Sequence, residues 1–222
     1  PISDEGAEEP VPDREDPAVV VLGGGWHVMT TVESWSHEDG LALTGLSLPV
    51  SCAIIKEKLQ IDDLSADEIA HELTDIVSSK LREDIPWRPG ALELVAALQQ
   101  AGVRQALVTM SMRRMALTVV DSVHAALGCE AFEIVVAGDD VENGKPHPEA
   151  YLKAAQLLGL EPSQCVAIED SLNGLHSAEA AGTRALGIPN VVSLPPREGR
   201  NIWPTLVGVT PLHLNQQIGR AS

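Results

Sequence analysis

The sequence predicts an α/β protein in which a parallel β-sheet carries helices on both faces and a small helical domain follows the first strand. From residue 103 onward, short apolar strands alternate with amphipathic helices, which is typical of parallel strands joined by helical crossovers. Over residues 34–87 apolar residues recur every three or four positions, and no strand pattern interrupts them. We therefore expect a core domain over residues 18–33 and 88–222, and a helical insert over residues 34–87.

The individual elements follow from short sequence runs. Strands are expected at 18–22, 103–109, 132–138, 164–170 and 183–188, with a last strand and the start of a helix over 205–214. Core helices are expected at 88–102, 113–128, 147–159 and 171–182, and insert helices at 50–61 and 65–84. Ser65 and Glu68 have the spacing of a capping box, so they predict where the second insert helix begins.

Composition limits the class of protein and of partner. The chain has 222 residues, of which 44% are hydrophobic and 3% aromatic, so it can bury one sizeable aliphatic core. The net charge of −17 disfavours nucleic acids and anionic membrane surfaces as partners, because both bind clustered Lys and Arg. Residues 1–17 carry seven acids and one arginine, which predicts a disordered acidic tail, with an acidic docking segment as the alternative.

The three cysteines give no sign of a disulfide framework or a zinc site, because Cys52, Cys129 and Cys165 are widely spaced. No apolar run approaches the roughly 20 residues that a membrane-spanning helix needs. No signal-peptide pattern is visible either. The expected location is the cytoplasm.

Chemically capable side chains lie where the predicted strands end. Thr109 closes one strand, Lys145 lies in a loop after the next, and Glu169 with Asp170 ends a third. The carboxyl ends of parallel strands meet at one edge of a sheet, so we expect these groups to lie together. They suit a phosphoryl group and a divalent cation such as Mg²⁺. The plain structural alternatives are a strand-end or helix-capping Thr109, N-capping of the following helix by Asp170 or Ser171, and a solvated Lys145.

Three segments around these residues resemble a known family. "ALVTMS", "GKPHPEAY" and "CVAIEDSLNGLHSAEAAG" are similar to the second, third and fourth motifs of the haloacid dehalogenase (HAD) superfamily, and "RPGALELVAALQQAGV" fits as well. The resemblance covers about residues 18–210 and is to the phosphatase and β-phosphoglucomutase-like subgroup with a helical C1-type cap.

That resemblance implies a fold and a chemistry. The fold is a Rossmann-like core with a cap domain, and the activity is Mg²⁺-dependent phosphoryl transfer on a small phosphorylated metabolite. Thr109 and Lys145 would bind the phosphoryl group, and Asp170 and Glu169 would hold the metal.

The first motif departs from the family. Members carry Asp-x-Asp-Gly-Thr after the first strand, where the first Asp is the nucleophile and the second the general acid and base. In this chain Gly23 and Gly25 occupy these two positions. Glycine has no side chain, so it can neither attack phosphorus nor donate a proton from one. The resemblance thus implies an inactive or crippled hydrolase with a weakened Mg²⁺ site.

Three functional interpretations remain open at this point. One is a working enzyme in which His27, Thr30 or Thr31 replaces the nucleophile. The second is a pseudoenzyme that binds a phosphorylated metabolite, and the third is a protein-interaction module that uses the acidic tail or the cap. The altered loop, residues 23–30, is explained either by evolutionary loss or by a frameshift or sequence error, and the coding DNA distinguishes these explanations.

Overall fold

The computed structural model describes residues 20–22, 37–43, 46, 48–83, 85–190 and 192–218. Several predictions fall on other residues. The acidic tail at 1–17 and the loop positions Gly23, Gly25, His27, Thr30 and Thr31 lie outside the described residues.

A six-stranded parallel sheet forms the centre of the described structure. Its strands are β1 Val20–Leu22, β2 Gln105–Val108, β3 Ile134–Val136, β4 Val166–Glu169, β5 Arg184–Gly187 and β6 Asn201–Ile202, in the spatial order β3-β2-β1-β4-β5-β6. Val20 pairs with Gln105 on one side and with Val166 on the other, so β1 lies between β2 and β4. The predicted Rossmann-like α/β class is confirmed.

All six helices predicted from apolar periodicity are present. The described helices are α1 His37–Ala42, α2 Leu48–Leu59, α3 Ala66–Glu83, α4 Ala91–Gln100, α5 Arg113–Leu127, α6 Glu149–Leu158, α7 Leu172–Ala180 and α8 Pro211–Ile218. The capping box at α3 is confirmed, since the Ser65 amide donates to Glu68 Oε2 at 2.8 Å and the Glu68 amide donates to Ser65 Oγ at 3.2 Å. Among the described helices, none has both the length and the apolar character that crossing a membrane requires.

The helices cover both faces of the sheet. Ala167 of β4 packs in one cluster with α6 and α7, whereas its neighbours Val166 and Ile168 pack on the opposite side with α4 and α8. This is the alternation expected of a strand buried on both faces. Glu169 lies two residues after Ala167, so its side chain belongs to the face that α6 and α7 cover.

The helices α1, α2 and α3, which we call the cap helices, precede the second strand. Their own apolar cluster is small and centres on Cys52, Ile69 and Ala70. In contrast, Val77 and Leu81 from the second half of α3 pack in the same cluster as residues of α5. The predicted division into a cap at 34–87 and a core stays a prediction, because α3 packs into both clusters.

The prediction of a strand within residues 205–214 is wrong. The last strand is Asn201–Ile202, beside β5, and the chain then turns. The Val209 amide donates to the Leu206 carbonyl at 3.0 Å, and Gly208 has a φ of 74°, a left-handed conformation that interrupts an extended run. The helix expected to begin in this segment is present as α8.

Candidate functional site

Lys145 is buried at the carboxyl edge of the sheet, contrary to the solvated alternative. It is 9% exposed. Its Nζ donates to the Val108 carbonyl at 3.1 Å, to the Tyr151 hydroxyl at 3.3 Å and to Glu169 Oε1 at 2.5 Å. An ammonium group has three hydrogens, so each has one acceptor in this arrangement.

Tyr151 completes a three-membered polar cluster with Lys145 and Glu169. Its hydroxyl donates to Glu169 Oε1 and accepts from Lys145, whose Nζ also lies 4.8 Å from the centre of the Tyr151 ring. Burial, reinforced by the Glu169 carboxylate, raises the pKa of the Tyr151 hydroxyl well above its usual range. Tyr151 therefore stays protonated and acts as a donor throughout the physiological pH range.

The Glu169 carboxylate fits its position because residue 174 is glycine. The cluster lies on the face of β4 that α6 and α7 cover, and Gly174 is in the first turn of α7. A Cβ added at Gly174 would lie 1.8 Å from Glu169 Oε2 and 2.1 Å from its Cδ. Any larger residue at 174 would consequently displace the carboxylate that pairs with Lys145.

The loop that carries Lys145 is fixed at its two ends. At one end the Glu149 carboxylate accepts from the Glu142 and Asn143 amides, at 2.7 and 2.9 Å. At the other, the buried Ser177 hydroxyl donates to the His147 carbonyl at 2.6 Å. The Lys145 side chain is thereby aimed into the sheet edge by contacts with two different helices.

Thr109 follows β2 at the same edge and is buried. Its Oγ1 accepts a hydrogen bond from the Ser111 amide at 3.1 Å. The N-cap position of α5 is Met112, so Thr109 is not the residue that caps this helix. With its oxygen used as an acceptor, the hydroxyl has its hydrogen to donate to an anionic oxygen.

Asp170 directly follows β4 and is also buried. The capping alternative for this acid is not what the structure shows, because Ser171 caps α7 by accepting from the Gly174 amide at 3.1 Å. Asn190 Nδ2 donates to Asp170 Oδ2 at 3.4 Å. Asp170 is thus a buried carboxylate at the edge where Lys145 and Thr109 lie.

The predicted Mg²⁺ ligands do not form a complete site among the described residues. No group of three or more His, Cys, Asp or Glu side chains there is arranged to hold a metal ion. Glu169 Oε1 is engaged by Lys145 and Tyr151, and Asp170 Oδ2 accepts from Asn190. The metal assignment of Asp170 and Glu169 stays a prediction.

Two further acids at this edge, Asp139 and Asp140, have structural partners. Asp139 Oδ1 accepts from the backbone amide of Arg113, at the start of α5, at 2.8 Å. Asp140 forms an ion pair with the Arg113 side chain at 2.7 Å and accepts from the Ala137 amide at 2.8 Å. Both acids therefore anchor the loop after β3 to α5.

Comparison with known proteins agrees with this arrangement. The family model for haloacid dehalogenase-like hydrolases matches residues 33–182, about two thirds of the chain. The chain belongs to the HAD-like hydrolase family. The matched range includes the cap helices and the segments that carry Thr109, Lys145, Glu169 and Asp170.

Two characterised proteins, one of them named as a phosphatase, are similar in sequence to this HAD-like chain. Hexitol phosphatase A of Escherichia coli is 37% identical over 164 residues, which covers 70% of this chain and 72% of that protein. Protein CbbY of Rhodobacter capsulatus is 39% identical over 102 residues, which covers 46% of this chain and 45% of CbbY. These relatives support the phosphatase and phosphomutase-like subgroup.

Solved structures extend the likeness to most of the fold. A family IA HAD hydrolase from Entamoeba histolytica superposes with a TM-score of 0.69 at 26% identity and covers 83% of this chain and 84% of its own. CbbY from Rhodobacter sphaeroides, solved with xylulose-1,5-bisphosphate, gives a TM-score of 0.65 at 28% identity, with 78% and 80% covered.

Sequence reasoning missed two residues of the site, Tyr151 and Gly174. The available signal for Tyr151 was its place in "GKPHPEAY" as the only tyrosine of the chain, one turn into the helix after the lysine loop. A buried tyrosine needs a hydrogen-bond partner, and the loop supplies Lys145. Gly174 gave no comparable signal, because a glycine in a helix does not reveal which side chain approaches it.

Proposed function

We propose that this HAD-like chain binds a small phosphorylated metabolite at the carboxyl edge of its sheet and has lost most of the hydrolytic activity of its family. Thr109 and Lys145 bind the phosphoryl group. Three observations support this proposal. They are membership of the HAD-like family, the chemistry of the side chains at the sheet edge, and the two glycines of the first motif.

The observation that carries the binding role is the buried Lys145–Glu169 pair. Removing a lysine and a carboxylate from water is costly, and an apolar pair of similar size is often equally stable. Lys145 also donates to the carbonyl of Val108, the residue before Thr109, at the edge where ligands bind in open α/β sheets. A structural role alone gives little reason to keep a buried lysine there. An anion-binding role gives that reason, with Glu169 as the counter-ion that allows the lysine to be buried.

The loss of turnover rests on the sequence at Gly23 and Gly25. Gly23 directly follows Leu22, the last residue of β1, and the family places its nucleophilic carboxylate there. Without that nucleophile no phosphoryl-enzyme forms, and without an acid at 25 the leaving group receives no proton from this position. Loss of a covalent nucleophile lowers kcat by on the order of 10⁶ in another enzyme class.

The proposed binding depends little on Mg²⁺. A bound metal would supply charge neutralisation, but in this chain Gly23 stands at the position of one expected carboxylate ligand and Glu169 is engaged by Lys145. We therefore assign the attraction for phosphate to the Lys145 ammonium and the Thr109 hydroxyl.

The names of the relatives suggest which compounds to test first. One is described as a hexitol phosphatase, and CbbY was solved with a pentulose bisphosphate. Hexitol phosphates and pentulose bisphosphates share hydroxyl groups and a phosphate ester, and both fall in the class of small phosphorylated metabolites. The interaction-module alternative gains no support, since the acidic tail at 1–17 lies outside the described residues.

Isothermal titration calorimetry with inorganic phosphate and a hexitol phosphate tests the proposal. We expect both to bind, and the binding to persist in EDTA. Thr109→Val should weaken it about tenfold to a hundredfold, since one hydrogen bond to a charged group is worth about 1.5–3 kcal/mol and about 1.4 kcal/mol is a tenfold change. Lys145→Ala should weaken it more, with its folding checked by circular dichroism.

The matched control is Thr118→Val, which removes a buried hydroxyl from α5 that donates to the Arg114 carbonyl of the same helix at 3.2 Å. This variant should bind phosphate as the wild type does. Absence of phosphate binding to the wild type, or equal affinity in the wild type and in folded Thr109→Val and Lys145→Ala, contradicts the proposed function.

A further inference from the structure

The three hydrogens of the Lys145 ammonium all have acceptors within the protein, although this lysine is the proposed ligand for phosphate. A bound phosphoryl oxygen can receive a hydrogen bond from Lys145 only if one of these acceptors gives way. The identity of that acceptor decides how the site changes on binding.

The three acceptors differ in how firmly they hold the lysine. Glu169 Oε1 is charged and lies at 2.5 Å, so this bond is the strongest of the three. The Val108 carbonyl lies at 3.1 Å and belongs to the backbone of a central strand, which cannot turn away. The Tyr151 hydroxyl is neutral and lies at 3.3 Å, the longest of the three distances.

The Tyr151 hydroxyl also has a second partner that does not depend on Lys145. It donates its hydrogen to Glu169 Oε1, and this bond remains when the lysine turns one hydrogen to another acceptor. Loss of the Lys145 bond therefore leaves Tyr151 still hydrogen-bonded, whereas loss of the Glu169 bond would leave a buried carboxylate without its counter-ion.

We propose that Tyr151 is a positioning residue for Lys145. In the unliganded site its hydroxyl accepts the Lys145 hydrogen bond that a phosphoryl oxygen accepts in the complex, so the bond between Lys145 and Tyr151 breaks when phosphate binds. This inference rests on the proposed phosphate-binding function and deepens it. Tyr151 acts through Lys145 and does not touch the ligand itself. Lys145 keeps its bonds to Val108 and Glu169 in both states.

We expect Tyr151→Phe to strengthen phosphate binding, although it removes a polar group from the site. In this variant one Lys145 hydrogen has no acceptor in the unliganded protein, while the phosphate still provides one in the complex. The hydrogen bond from Tyr151 to Glu169 is absent from both the free and the phosphate-bound variant, so its loss does not change the free energy of binding. We therefore expect lower stability together with about fivefold tighter phosphate binding, which equals about 1 kcal/mol at 1.4 kcal/mol per tenfold change.

Calorimetric titration of inorganic phosphate into the wild type, Tyr151→Phe and Thr118→Val tests this expectation. Thr118→Val serves as the matched control, because it also removes a buried hydroxyl, but one whose hydrogen bond goes to the Arg114 carbonyl within α5. Its affinity should equal that of the wild type. A merely structural tyrosine would leave the affinity of Tyr151→Phe unchanged or weaken it, and either result overturns the inference.

A second measurement needs no variant, because Tyr151 is the only tyrosine of the chain. Protein labelled with ¹³C at tyrosine Cζ gives one resonance, which should shift on phosphate addition and saturate with the calorimetric isotherm. Phosphate binding without such a shift overturns the inference and leaves the proposed function intact. If the wild type binds no phosphate in calorimetry, the proposed function fails and the inference falls with it.

Discussion

The carboxyl edge of the sheet and the contact between α3 and α5 both hold charged side chains, but they do so in opposite environments. At the edge, the Lys145 and Glu169 side chains are 6% and 1% exposed. At the helix contact, Arg114 of α5 pairs with Asp75 of α3 at 2.8 Å, and these side chains are 40% and 69% exposed. Arg114 also donates to the His71 carbonyl at 2.7 Å.

This difference indicates which part of the molecule can move at low cost. A buried charge cannot lose its partner without a large penalty, whereas an exposed ion pair exchanges its partner for water. At His71 and Asp75, α3 is held to α5 by such exposed contacts, whereas Val77 and Leu81 near its end pack in a buried cluster with α5. We therefore expect ligand access to involve the cap helices and the buried Lys145–Glu169 pair to stay intact.

The largest expected effect comes from breaking the buried pair. Lys145→Met leaves the Glu169 carboxylate buried with the Tyr151 hydroxyl but without its counter-ion, so unfolding free energy should fall by about 3–5 kcal/mol. Urea unfolding monitored by circular dichroism measures this loss. Arg104→Met is the control, because its ion pair with Glu133 is about half exposed on both sides. Similar losses in the two variants would contradict the contrast between edge and surface.

A smaller effect is expected from Gly174→Ala, which places a Cβ against the Glu169 carboxylate. Overpacking of this kind costs about 1–3 kcal/mol. The sharper test is the same change on a Glu169→Ala background. In that background the clashing carboxylate atoms are absent. Because alanine favours a helix over glycine by about 1 kcal/mol, Gly174→Ala should then raise the unfolding free energy instead of lowering it. Chemical unfolding of the four proteins measures the difference, and a cost in both backgrounds would exclude the close approach as its cause.

The smallest expected effect is that of Arg114→Ala on overall stability. Exposed ion pairs contribute about 0.2–1 kcal/mol, so the unfolding midpoint should change little. Hydrogen exchange should nevertheless quicken for amides in the first half of α3 and stay unchanged in β4. Slow exchange throughout α3 in the variant would show that the apolar contacts of Val77 and Leu81 alone fix the cap helices.

Much of the fold was predictable because its signals are local. Helices such as α3 are predicted by the spacing of their apolar residues and, here, by the Ser65–Glu68 capping box. Strands such as β4 are predicted by a continuous apolar run. The two-residue strand Asn201–Ile202 has no period to detect, and it forms only because β5 offers an edge. The apolar residues within 205–214 favour a strand, but Gly208 turns the chain there.

The grouping of the candidate residues at one edge was predictable, but their contacts were not. Parallel topology alone brings Thr109, Lys145 and Asp170 to one edge, so their grouping follows from strand order. Which atom Lys145 contacts depends instead on the packing of α6 and α7 against β4. That packing brings in Tyr151 and Gly174, whose roles arise from side chains far apart in the sequence.

In our proposal the phosphoryl-binding edge persists while the first-motif carboxylates are absent. Hydrolysis of p-nitrophenyl phosphate with Mg²⁺ by the wild type and by the double variant Gly23→Asp, Gly25→Asp measures the consequence. We expect no turnover by the wild type and measurable turnover by the double variant, since the restored carboxylates meet an intact site. Similar turnover rates of the two proteins, or a folded double variant without activity, would rule out loss of the first-motif acids as the reason for inactivity.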